Sequence, residues 1–330
     1  MLTRYVIKRL LIAIPTLLII SFAVFMIIQL PPGSFLDAKV EAMQKEGEVD
    51  YAEIEALRRQ YHFDRPLIVQ YGYWIVGFVQ GDLGKSFDTD AEVTQILAEL
   101  LPVTVAISVF TILFTWSIAL PFGVIAAVKK NTVWDYLLTF IGLAAMSVPG
   151  FVIALVFQVI MQKFWPNFDP TGLISRQYQG EPWSLAKFGD LIKHLWVPVF
   201  ILGVAGTAGM IRILRANIID ELRKQYVLCA RARGVHPAMV VVKYPFRVAI
   251  NPMVSSVGLI LPRLISGSMI ISIVLGLPTM GPKVLEALKS QDTYLASSFV
   301  FIQCILAIVG ILLSDILLAL VDPRIKFESK

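Results

Sequence analysis

The chain has 330 residues, 57% of them hydrophobic and 16% charged, with a formal net charge of +5. Soluble domains carry charge on nearly a quarter of their residues, so this balance, with a mean hydropathy of +0.73, excludes an ordinary water-soluble globule. In so apolar a chain the excess of Lys and Arg is expected on cytoplasmic loops beside membrane lipid, and nucleic acid is not expected as a partner.

The N-terminus places Arg4, Lys8 and Arg9 ahead of a long apolar run. A secretory signal peptide has a shorter apolar region and then a small-residue cleavage site. This run has no A-x-A and stops at Pro31-Pro32-Gly33. It reads as an uncleaved transmembrane helix over 1–30 with its N-terminus in the cytoplasm. Further apolar segments lie at 101–128, 136–161, 195–214, 250–275 and 296–320. Each can cross roughly 30 Å of hydrocarbon at about 1.5 Å per residue. The expected fold class is therefore an all-α membrane protein of about six transmembrane helices. Its expected parts are the first helix, an outer loop over 31–100 and a core over 101–330.

The charges of the loops set the expected orientation. Lys129 and Lys130, a run from Arg212 to Arg247, and Arg324, Lys326 and Lys330 are expected inside. The long first outer loop is rich in acids, among them Asp37, Glu41, Glu48, Asp50 and Asp88. The positive-inside rule then puts both termini in the cytoplasm. Within the outer loop, DYAEIEALRR (50–59) has helical spacing of Ile54 and Leu57. A second helix is expected after Pro66, lying at the membrane interface through Tyr71, Tyr73, Trp74 and Phe78. The loop reads as a cap over the spans and as a docking surface for an external binding protein. Gly84-Lys85-Ser86 resembles the end of a phosphate-binding loop, but the position that needs the first Gly is Val79. The loop at 162–194 is close to neutral and leaves the orientation to the others.

The stretch YVLCARARGVHPAMVVVKYPFRVAINP (226–252) carries the most information. Residues 220–233 have good helix propensity with no internal Gly or Pro. Gly234 suits a left-handed cap and Pro237 the first turn of a second helix. Pro245 and Pro252 interrupt the chain before the fifth apolar segment. A basic helix–turn–helix between two spans, within the loop at 215–250, is a surface that another cytoplasmic body can grip and move.

Arg263 falls near the middle of the fifth apolar segment and Asp315 toward the inner end of the sixth. Charge inside hydrocarbon is costly and usually faces a cavity or a partner. Arg263 is a candidate for a water-filled path, with Ser266, Ser268 and Ser272 on the same segment. Asp315 is expected to hold Arg212 or Arg215 near the inner surface. Pro262 and the small residues Gly258 and Gly267 suit a pore wall or hinge. Cys229 in the cytoplasmic loop and Cys304 inside a span are expected to form no disulfide and to serve as small packing residues. His62, His194 and His236 lie in three separate loops, as solvated or interfacial residues, so no metal or acid–base site and no catalytic residue is expected. An ion-driven secondary transporter is the alternative function, but it asks for inverted repeats and paired midplane acids that the sequence lacks.

Tyr226, Ala230, Arg231, Ala232 and Gly234 resemble the Y-x-x-x-A-R-A-x-G signature of permeases in dipeptide, oligopeptide and nickel ABC importers. Arg247, Asn251 and Pro252 fit its continuation, and RYVIKRLL, GDLGKSF and LLSDILLALVDPRIKF are similar to the family elsewhere. The resemblance implies a type I ABC importer permease fold. It implies a coupling loop that includes Tyr226, Ala230, Arg231, Ala232, Arg233, Gly234, Val235 and Arg247. It also implies a second homologous permease in a heterodimer, two ATP-binding subunits that hold ATP and Mg, and a substrate-binding protein outside. The chain itself then needs no cofactor. Leu228 stands at the acidic position of the general loop consensus. Ser272 and Leu277 replace the Glu and Trp of peptide-type members, and the outer PPGSFLD stretch (31–37) is less usual; these features are more similar to members associated with oligosaccharide uptake, which leaves peptides and oligosaccharides both open as substrates.

Overall fold

A computed structural model describes residues 2–31, 33–46, 51–166, 168–182 and 184–321. The basic residues Arg324, Lys326 and Lys330, and Pro32, Glu48 and Asp50, lie outside the described residues. Among those described, the chain is helical, with one isolated antiparallel bridge between Lys85 and Glu92. The helices are α1 (Leu2–Ile28), α2 (Phe35–Glu46), α3 (Tyr51–Gln60), α4 (Leu67–Gln80), α5 (Val93–Val128), α6 (Val133–Ser147), α7 (Gly150–Phe164) and α8 (Leu185–Glu221). After them come α9 (Gln225–Ala232), α10 (Pro237–Lys243), α11 (Pro245–Ala249), α12 (Asn251–Gly267), α13 (Met269–Val274), α14 (Met280–Lys289) and α15 (Thr293–Val321).

Four described helices are long and apolar enough to cross a membrane: α1, α5, α8 and α15. The expected third and fifth spans are not single helices. The third is α6 and α7, bent by 96°. Its break has a local cause. Val148 precedes Pro149, and the proline ring disfavours helical backbone at the residue before it. Val148 accordingly sits at φ −96°, ψ 125°. The fifth is divided at Ser268 into α12 and the short α13.

The chain packs as two compact units. One comprises Ile7–Val103 with Thr279–Leu306, so the outer-loop residues share their packing with α14 and the start of α15. Phe25, Trp74 and Phe301 form one buried aromatic cluster, and the Trp74 indole donates to Ser298 Oγ at 3.2 Å. Trp74 is thus a core residue of this unit, while Tyr73, Val76 and Val79 on α4 stay exposed. Phe35, Leu36, Tyr61 and Phe87 form a second cluster. Burial, with Asp90 beside it, pushes the Tyr61 phenol up to about 12.

The fully buried Asp292 ties the Gly84-Lys85-Ser86 segment to the start of α15. Its carboxylate accepts from Ser86 Oγ at 2.6 Å, Phe87 N at 2.8 Å and Leu295 N at 3.0 Å. Burial pushes this carboxyl above its usual range against the pull of those donors. Ser86 therefore spends its hydroxyl inside the protein and is not free to bind phosphate.

The other unit is Thr104–Pro278 with the adjoining terminal segments. Ala119, Ala127, Ile211, Leu214, Ile218, Ala249 and Met253 make its buried core. Here α12 meets α15 backbone to backbone. A Cβ built on Gly258 would lie 2.5 Å from Ile311 Cα, and one on Gly310 would lie 2.7 Å from the Gly258 carbonyl oxygen. The Gly258 N–H donates to Ser314 Oγ at 2.6 Å. Asp315 accepts from the Tyr5 hydroxyl at 2.8 Å and does not take up Arg212 or Arg215. Because a backbone cannot yield as a side-chain tip can, Gly258→Ala should destabilise this unit by about 1–3 kcal/mol. A lowered melting temperature of the purified protein in detergent is the expected result.

Candidate coupling site

The hairpin hangs from the C-terminal end of α8. Contrary to the sequence expectation, 220–233 is not one helix. The chain turns at 222–224, through Leu222 N to Ile218 O and Lys224 N to Glu221 O, before α9 begins. The Tyr226 hydroxyl donates to the Glu221 carboxylate across this turn. Tyr226 therefore locks the angle at which α9 leaves α8, a role legible only in three dimensions.

Gly234 closes α9 at φ +75°. That is the left-handed region, where a side chain is disfavoured. Val235 N then reaches Ala230 O at 3.3 Å and Gly234 N reaches Arg231 O at 2.9 Å, which satisfies carbonyls at the helix end. Pro237 starts α10 and Pro245 starts α11, each where a missing N–H costs nothing. Val227, Ala230 and Val240 are buried between the helices, with Leu222, Tyr226, Val235 and Tyr244 packed around them. The returning segment is tied to α8 by Asn217 Nδ2, which donates to Ala249 O at 3.2 Å.

Of the sequence-predicted residues, Tyr226, Ala230 and Val235 build this small core. Arg231, Ala232, Arg233, Gly234 and Arg247 are exposed. Three large apolar side chains share the exposure, Leu228 at 53% and, not singled out by sequence reasoning, Met239 at 57% and Val242 at 60%. Exposed apolar groups among cations are what a protein partner covers. Cys229 is exposed here as well, where a packing residue was expected, and Cys304 is partly buried.

The same end of α8 is held by an ion pair. Arg215 on α8 donates to both Asp135 oxygens on α6, at 2.6 and 2.7 Å, and Asn131 N adds a third donor at 2.9 Å. The Asp135 side chain is 3% exposed.

The path candidates separate. Arg263 and Ser266 are exposed on α12, whereas Ser268 and Ser272 are buried at 8% and 1%. Ser268 donates to Ile265 O at 3.3 Å, and Ser272 is packed inside the unit, so neither lines a surface with Arg263. His194, expected to be solvated, is also buried, with its ring stacked on Phe168. No group of three or more His, Cys, Asp or Glu able to hold a metal occurs among the described residues.

Known proteins share this pattern along the whole chain. Residues 119–327 match the family described as binding-protein-dependent transport system inner membrane component, and residues 1–108 match its N-terminal counterpart. The chain is 30% identical to the oligopeptide transport system permease protein AppB of Bacillus subtilis, over 98% of this chain and 99% of that protein. It is 30% identical to the oligopeptide permease protein OppB of Haemophilus influenzae and 29% identical to the di/tripeptide permease protein DppB of Pseudomonas aeruginosa, each over 98% of this chain and 99% of the relative.

Removing one partner of a buried ion pair leaves an uncompensated charge, while removing both does not. Arg215→Met leaves the 3%-exposed Asp135 unpaired and should cost about 3–5 kcal/mol of stability. The double variant Asp135→Leu with Arg215→Met should recover most of that loss. Melting temperatures of the two variants, side by side, check this.

Proposed function

The chain belongs to the family of binding-protein-dependent transport system inner membrane components, and from that membership we propose that it imports short peptides along a membrane path whose opening is driven by separate ATPase subunits acting on the hairpin. As a permease subunit of an ABC importer, it is not itself an enzyme, and ATP is hydrolysed on a partner chain. An ion-driven transporter has no support from the family. Peptide cargo is supported by the names of the full-length relatives, which are oligopeptide and di/tripeptide permeases. Two of the sequence departures that kept oligosaccharides open are Ser272 and Leu277. Both are buried, at 1% and 4%, so the substitutions change packing and not a ligand-facing surface.

In this reading the exposed cations and the apolar trio of Leu228, Met239 and Val242 dock on an ATPase subunit that binds ATP and Mg. The hairpin side is cytoplasmic, as are both termini. A second, homologous permease completes a heterodimer with two ATPases, and a binding protein delivers substrate from outside. ATP binding moves the hairpin, α8 and α12 carry the motion into the membrane, and the path alternates its opening between the two sides. The observation that carries this reading is the self-contained hairpin: its own buried core and the Tyr226–Glu221 lock let it transmit force without unfolding.

A carboxylate at Gly234 meets an unfavourable backbone and sits among Arg231 and Arg233. Gly234→Asp should keep the protein in the membrane but lower uptake per ATP hydrolysed on the order of tenfold, the effect of about 1.4 kcal/mol of lost docking. Uptake and hydrolysis measured together in proteoliposomes check this, and a normal ratio removes the coupling role of the turn.

A further inference from the structure

We propose that the segment between α7 and α8 holds a handover site for the charged ends of short peptides. The proposal rests on the peptide reading and deepens it. Helix α8 runs from this segment to the hairpin, and α12 with α13 returns from the hairpin to Gly276. The site therefore lies at the end of the spans opposite the coupling hairpin, where substrate enters.

The segment has few helical residues, yet it is pinned at several points. Gly172 N donates to Leu275 O at 2.7 Å. Ser175 donates to Asp190 through both N and Oγ, at 2.6 and 2.7 Å. Asp169 Oδ1 accepts from Thr171 N at 3.0 Å and from Thr171 Oγ1 at 2.6 Å. These bonds shape a solvent-open cavity of about 570 Å³ whose lining includes Asp169, Thr171, Arg176, Gln177, Gln179 and Gly276. Ligand pockets commonly span about 300–1,000 Å³, so a tripeptide fits.

The lining chemistry selects the class of ligand. It offers one carboxylate, one guanidinium and side-chain amides, which match an ammonium, a carboxylate and peptide groups in turn. The Thr171 hydrogen bonds hold the Asp169 carboxyl below its usual range, so it presents a negative charge at neutral pH. Arg176 is exposed and keeps its fork of donors available to a planar carboxylate. Among the described residues, none that lines this cavity is aromatic.

The test compares uptake of tri-alanine with its N-acetylated and C-amidated forms, using the intact complex and its cognate binding protein in proteoliposomes. The binding protein is the same in every arm, so a changed preference between peptides belongs to this chain. Asp169→Asn keeps the acceptor for Thr171 and removes the charge. It should reduce the preference for tri-alanine over the N-acetyl form by about tenfold and leave the preference over the amide unchanged. Arg176→Gln should do the reverse. Size-exclusion elution of the assembled complex separates loss of recognition from loss of assembly. Wild-type uptake of tri-alanine with both preferences unchanged in both variants overturns the handover site alone. No uptake of tri-alanine by the wild-type complex overturns the peptide reading and the site with it.

Discussion

The bidentate pair between Arg215 and Asp135 fixes the hairpin end of α8, and the hairpin and the returning segment of the core unit hang from that helix. Two parallel hydrogen bonds from one guanidinium allow little rotation between α6 and α8. Beyond the pair, α8 ends and the Tyr226–Glu221 contact sets the direction of α9. The hairpin is therefore joined to α8 by a stiff connection and not by a soft joint. The returning chain is equally committed. Asn217 grips Ala249 just before α12, and α12 lies against α15 at Gly258 with no side chain between the backbones.

Division of labour along the hairpin comes from burial. Tyr226 and Ala230 of the signature pack with Val227 and Val240 in the inner core, and the cations point outward with Leu228, Met239 and Val242. A permease of an ABC importer needs both properties at once. The inner core makes the element stiff, and the outer face gives a partner something to hold. Leu228 is instructive here. At the position where the general consensus is acidic, it joins Met239 and Val242 as exposed apolar area among the cations.

Features governed by local chemistry were legible in the sequence. The four long apolar helices, the left-handed Gly234 and the helix starts at Pro237 and Pro245 all come from residue type at a position. The family signature was legible for the same reason. What escaped depended on partners distant in sequence. Asp135 and Arg215 are 80 positions apart, and Asp292 and Ser86 are 206 apart, so neither pair announces itself. The break after Glu221 is hidden because helix propensity continues through it and only the Tyr226 contact and the packing of Val227 end it. Ser268 and Ser272 resemble path residues by their polarity, but polarity does not say which way a small hydroxyl faces. His194 suggests solvation by its place beside a loop, and the stacking of Phe168 buries it.

The central claim is that the hairpin face is covered by an ATPase subunit in the working transporter. Cys229 provides a native reporter, exposed on α9 next to Leu228. The rate of maleimide modification at Cys229, read by peptide mass spectrometry in a Cys304→Ala background, can be compared between the isolated chain and the assembled complex. Strong slowing on assembly is the result predicted. The same rate in both would mean that the face stays open to water, and would contradict the coupling role of the hairpin.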